Sequence, residues 1–169
     1  GSEPNAIPRG DHASYAAVFY PLLDVGLAVP FSTGTDWFIG DLARVYVPLG
    51  AERTSAAFLA QLRAGRSFIT NGPLLEFEVD GEQPGGSVKL AAPRTLPLRA
   101  RAIGRVDFGA LEIVAGGGVI ASAKARAVGD HFEAEIESEF AAAAPAWLAV
   151  RIAPGDAVSE FGKPLFAHS

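Results

Sequence analysis

The sequence predicts an α+β chain: a short helix/strand segment over residues 1–66, then an antiparallel, immunoglobulin-like β-sandwich over residues 67–169. Three observations carry that expectation. Near Arg66 the apolar spacing changes from the 3.6-residue period of helices to the two-residue period of strands. Roughly seven or eight short alternating runs follow, with turn residues about every ten positions. One hairpin, around Gly129-Asp130, can be registered pair by pair.

The elements follow in order. Residues 3–10 carry two prolines and a glycine and read as an extended lead-in. Asp11 caps a helix beginning near His12, with Tyr15, Val18, Phe19, Leu22 and Leu23 along one apolar stripe. Pro21 tends to kink that helix and Gly26 ends it. Residues 27–31 read as a short buried strand that empties into Ser32-Thr33-Gly34-Thr35-Asp36, and Val45-Tyr46-Val47 as another. Thr54 or Ser55 caps a second helix, with Phe58, Leu59 and Leu62 on one face and Gly65 at its end.

Beyond Arg66 the pattern is strand-like. Leu75, Phe77 and Val79 alternate with Glu76, Glu78 and Asp80 before an Asp80-Gly81 turn, and Val88 and Leu90 alternate with Ser87 and Lys89. Leu96, Leu98, Ala100 and Ala102 alternate with Arg99 and Arg101, Leu111 and Ile113 flank Glu112, and Leu148, Val150 and Ile152 close the series. The Gly129-Asp130 turn sets Val128 opposite His131, Ala127 opposite Phe132 and Arg126 opposite Glu133. Continued, that register sets Lys124 against Glu135 outside, and Ala125 and Ala123 against Ala134 and Ile136 inside. A one-residue slip would destroy both the charge and the apolar matches.

Composition narrows the function. A chain of 169 residues can bury a core of its own, and 49% hydrophobic with 20% charged residues is globular. A net charge of −5 argues against binding nucleic acid or anionic membrane. The lack of cysteine excludes disulfides, zinc-thiolate sites and cysteine nucleophiles, and leaves the compartment open. No apolar run reaches the roughly 18 residues of a membrane span, so no membrane insertion is expected. No basic, apolar and small-residue signal stands at the start. Gly1-Ser2 reads as a cloning scar, and the chain as a piece excised from a longer protein.

Asp36 is the strongest chemical candidate, because α/β folds place metal ligands and general bases at the C-terminal ends of strands. An ordinary loop aspartate capping a turn fits the same residues. Asp41 is near but adds no telling spacing. His12, His131 and His168 are scattered, with no His-x-His, His-x-x-x-His or Glu-x-x-His among them. Glu133, Glu135, Glu137 and Glu139 form an acidic comb, which reads as a solvated ladder against Arg126 and Lys124 ahead of a calcium site. Gly116-Gly117-Gly118 lies between strands and opens no helix, so it is a turn and not a phosphate cradle. Trp37 and Phe38 read as a domain contact or a binding lip, and no Gly-x-Ser-x-Gly elbow occurs.

Four stretches carry a family likeness: "YAAVFYPLLDVGLAVPFSTGTD" (15–36), "ARVYV" (43–47), "FLAQLRAGRSFITNGPLLEFEVDGEQPG" (58–85) and "FAHS" (166–169). Together they resemble the C-terminal part of CehA/McbA-type metallohydrolases, a branch of the PHP (polymerase and histidinol phosphatase) superfamily. The resemblance implies a distorted α/β barrel with metals at its mouth, followed by a β-sandwich, so that residues 1–66 would be a barrel remnant. Family ligands come mainly from upstream motifs such as His-x-His. The one matching position here is Asp36, in the late Gly-Ser/Thr-Asp motif, and Phe38 stands where many relatives carry a histidine. The implied cofactor is a divalent metal (zinc, manganese or iron) in the parent protein, with none expected in this chain. The implied partner is the upstream barrel portion. Apolar surface left over residues 11–66 makes a homodimer a further expectation.

On this reading Thr70-Asn71-Gly72-Pro73 is the corner between the last barrel helix and the sandwich, with Gly72 taking an unusual backbone angle. Two functions compete. One is the C-terminal portion of a hydrolase of ester, amide or phosphoester bonds, inactive alone, with Asp36 as ligand or orienter. The other is a non-catalytic sandwich that binds or braces a neighbour.

Overall fold

Alternation of apolar and polar side chains produces two antiparallel sheets with one shared core. The computed structural model describes residues 12–33, 43–159 and 162–169. Helix α1 (His12–Asp24) is followed by β1 (Arg44–Tyr46), α2 (Ser55–Arg63), β2 (Phe68–Thr70), β3 (Leu74–Val79) and β4 (Arg94–Gly104). Then come β5 (Ala110–Ala115), β6 (Gly118–Lys124), β7 (Arg126–Val128), β8 (His131–Ala142), β9 (Leu148–Ile152) and β10 (Ala167–His168). One sheet is six-stranded in the order β1-β2-β10-β9-β5-β6, and the other four-stranded in the order β3-β4-β8-β7.

The two sheets form a β-sandwich. Leu75, Phe77, Leu98, Ala100 and Ile136 of the four-stranded sheet meet Leu111, Ile113, Val150, Ile152 and Ala167 of the six-stranded one. Burying each large aliphatic or aromatic chain stabilises by about 1.5–3 kcal/mol before the ordering cost.

Local signals place several boundaries. Thr54 caps α2 by accepting a hydrogen bond from the Ala57 amide at 3.1 Å. Gly26 closes α1, where the Leu27 amide reaches back to the Leu22 carbonyl at 2.8 Å. Asp80 and Gly81 have φ of 52° and 85°, the left-handed pair of a type I′ turn, and Val79 and Glu82 exchange backbone hydrogen bonds across it.

Five expectations are corrected. Residues 27–31 form no strand and leave Leu27 and Val29 exposed, because no described strand runs alongside them to satisfy their backbone. Val88 and Leu90 are half-buried while Ser87 and Lys89 are exposed, yet they too join no sheet. The buried side of α1 is turned relative to the expected stripe: Tyr15 and Tyr20 are buried and Val18 is exposed. As its stripe and Gly26 required, the helix itself runs through Pro21 to Asp24.

The hairpin register holds for Val128–His131, Ala127–Phe132 and Arg126–Glu133, and then fails. At Ala125 the chain leaves the four-stranded sheet, its amide bonding the Gly109 carbonyl at 2.8 Å, so Lys124 faces Ala110 and Ala123 faces Leu111. Two-residue alternation is preserved across that crossing, which is why the sequence pattern could not reveal it.

The last correction is the corner at residues 70–73. It joins β2 of one sheet to β3 of the other, and Gly72 does not have a positive φ. A Cβ there would lie 2.6 Å from Leu165 Cδ2, so a larger residue would require the Leu165 side chain to shift. Asn71 clamps the same segment: its Nδ2 donates to the Pro164 carbonyl at 2.7 Å and its Oδ1 accepts from the Phe166 amide at 2.8 Å.

Candidate functional site

Asp36, the one metal-ligand position given by the resemblance, lies outside the described residues, as do Asp41, Trp37 and Phe38. Among the described residues no group of three or more His, Cys, Asp or Glu stands close enough to hold a metal ion, so these residues alone do not fit one.

The most organised polar chemistry lies on the outer face of the six-stranded sheet, beneath α1. Strand β10 is wedged between β2 and β9, with His168 opposite Ile69 on one side and Arg151 on the other. Alternation sends Ala167 into the sandwich core, and Phe166 and His168 outward under the helix. Tyr15 lies over His168 with ring centroids 4.1 Å apart, and Phe31 meets Tyr15 edge-on at 5.2 Å. Trp147 packs on Tyr20 at 4.7 Å and donates its indole N–H to Asp24 Oδ1 at 2.7 Å.

A polar chain runs through this aromatic layer. Glu112 and Arg151 are register partners on β5 and β9, and Arg151 Nε donates to Glu112 Oε2 at 2.9 Å. Arg151 Nη1 donates to the Tyr20 hydroxyl at 3.2 Å, and that hydroxyl lies 2.8 Å from His168 Nε2. His168 Nδ1 is 2.7 Å from the Ser169 carbonyl oxygen, which can only accept. Nδ1 therefore carries a proton, and Nε2 and the Tyr20 hydroxyl form the next link of the chain. Burial raises the Tyr20 pKa, and Arg151 partly offsets it. Burial likewise raises Tyr15. With His168 only 1% exposed, the chain is closed to a substrate. It pins α1 to the sheet.

The four stretches that carry the family resemblance converge here. Tyr15, Tyr20 and Phe31 come from the first, Val45 from the second, Ile69 from the third, and Phe166 and His168 from the fourth. Separations of 148 residues for Tyr20–His168 and 131 for Arg151–Tyr20 leave no local spacing by which the sequence could reveal the chain.

The outer face of the four-stranded sheet is different in kind. The register sets Arg101 between Glu76 and Glu135, and Arg99 between Glu78 and Glu137. Arg101 pairs with Glu133 at 2.9 Å and Glu135 at 3.2 Å, and Arg99 with Glu137 at 3.6 Å. The acidic comb is thus a ladder, as expected, but β4 supplies its arginines. Lys124, one of the two expected partners, lies in the other sheet. At its end His131 bridges Glu133 at 2.8 Å and Asp130 at 3.1 Å. Hydrogen bonds to Glu133 and then Asp130 raise the His131 pKa, and the bond from His131 lowers those of Glu133 and Asp130. A cleft of about 710 Å³ borders this face, lined in part by Tyr46, Phe68, Leu74, Arg99 and Arg101.

Comparison of the chain with family models, curated proteins and solved structures finds no match.

Proposed function

We propose that this chain is the C-terminal portion of a metal-dependent hydrolase of the PHP superfamily, acting on ester, amide or phosphoester bonds. The barrel is supplied from upstream in the parent protein, with zinc, manganese or iron as its metal. The observation that supports this reading is the convergence of all four family-like stretches in one aromatic cluster under α1. Phe31, which docks into that cluster, stands five positions before Asp36 in the sequence.

In the finer fold reading, residues 1–66 are the end of the barrel and the sandwich is immunoglobulin-like. The strand orders β3-β4-β8-β7 and β10-β9-β5-β6 support the latter, since they follow the A-B-E-D and G-F-C-C′ arrangement. The isolated chain is inactive, because one aspartate cannot hold a hydrolytic metal.

The test is to recover the parent reading frame, inspect it upstream for His-x-His, and compare the metal content of the parent with that of this chain. Stoichiometric metal and hydrolysis of ester, amide or phosphoester probes are expected in the parent, both reduced by Asp36→Ala. A parent with neither His-x-His nor metal would leave the non-catalytic sandwich module.

A further inference from the structure

The chain contains two asparagines, Asn5 before an alanine and Asn71 before Gly72. Asparagine is thermolabile, and most so before glycine, which puts no side chain in the way of attack by its own backbone nitrogen. That nitrogen, stripped of its proton by hydroxide, attacks Asn71 Cγ. The Cγ–N bond forms, the Cγ–Nδ2 bond breaks, and ammonia leaves with a proton from water. Water then opens the five-membered imide on one side or the other. One opening leaves aspartate; the other leaves isoaspartate, in which the main chain runs through Cγ and is one carbon longer. The net change is water taken up and ammonia released.

In the folded chain the groups this reaction needs are tied. The Gly72 amide donates to Thr70 Oγ1 at 2.9 Å. Asn71 Nδ2 donates to the Pro164 carbonyl at 2.7 Å, and Asn71 Oδ1 accepts from the Phe166 amide at 2.8 Å. The Asn71 amide donates to the Phe166 carbonyl at 3.0 Å. Three of these four bonds run to residues 164–166, which lead into β10. Cyclisation has to turn the carboxamide onto the Gly72 nitrogen, so it has to break this clamp first.

We propose that Asn71 is a deamidation site gated by the clamp: it reacts when residues 164–166 lift away from the corner, and the product does not close the clamp again. After conversion no side-chain N–H remains to donate to the Pro164 carbonyl, and a carboxylate oxygen faces it instead. Isoaspartate also lengthens the short connection between β2 and β3, which joins the two sheets. Strand β10, wedged between β2 and β9, carries His168 and its bond to Tyr20. Modification at the corner therefore loosens β10 and, through it, the hold on α1.

The test follows conversion of Asn71 by peptide mass, in the folded chain and in the chain unfolded by guanidinium at the same pH and temperature. Amide exchange is read at single residues beside it. Folding should slow the conversion by about tenfold or more. It should slow exchange of the Phe166 amide by the same factor to within about threefold, since one opening controls both. The isoaspartate chain, separated by its added negative charge, should exchange the amides of residues 166–168 about tenfold faster than the unmodified chain. Asn71→Asp, which keeps the normal backbone, should show a smaller increase and a lowered melting temperature. Conversion as fast folded as unfolded, a rate unrelated to Phe166 exchange, or an isoaspartate chain with β10 as protected as before would each overturn the proposal. None of these results bears on the hydrolase reading, which stands or falls on metal content.

Discussion

The two outer faces of the sandwich solve the same problem in opposite ways. The six-stranded sheet is covered by α1, and its outward side chains include Val114, Phe166 and His168, all buried. Among the described residues no helix covers the four-stranded sheet, and its outward side chains include glutamates and arginines in facing rows. Under the helix, polar groups are few and each is matched in direction, because a buried group without a partner costs about 1–3 kcal/mol. On the open face the charges are many and their geometry is loose: Arg99 and Glu137 have side chains 72% and 82% exposed and sit 3.6 Å apart. Polar chemistry on this molecule holds structure where it is covered and only keeps a face wet where it is not.

That contrast can be broken most forcefully at Tyr20. Tyr20→Phe keeps the ring and removes the hydroxyl between Arg151 and His168. It should lower unfolding stability by about 1–3 kcal/mol in urea titration, since the hydroxyl that joins Arg151 to His168 in a covered site is lost. A variant indistinguishable from wild type would show that the pin carries no weight. Arg99→Ala on the open face should change stability by less than about 0.5 kcal/mol in the same titration. A larger loss there would mean that the ladder is a coupled network, and the contrast between the faces would weaken.

The smallest effect is the pH response of the cluster at the hairpin. The raised His131 pKa means its stabilisation is present below the unfolded imidazole value and lost as pH rises through the folded value. Glu133 and Asp130 are lowered, so theirs is present above the unfolded carboxylate values and lost as pH falls through the folded ones. The cluster therefore contributes most in mildly acidic solution, between those ranges. His131→Ala should flatten that shallow maximum, and an NMR titration placing His131 at or below an ordinary imidazole would contradict the assignment.

Much of the strand content was legible because a half-buried strand writes its two faces into alternate residues, as in Leu75-Glu76-Phe77-Glu78. Turns and caps were legible for the same reason: Asp80-Gly81, Gly129-Asp130 and Thr54 act within four residues of themselves. The candidate site was not, because Tyr20, Glu112, Arg151 and His168 come from four separate elements and have no spacing in common.

By itself the sequence determined where chain direction reverses and which side of most strands is apolar, since those depend on neighbours along the chain. Only the tertiary structure decided which sheet a strand enters, as at Ala125, and what crowds position 72, which is Leu165 arriving from the far end of the chain. It also decided which arginines face the acidic comb. Alternation fixes a side chain's face but not the strand lying next to it, and that choice is made by packing between residues far apart in sequence.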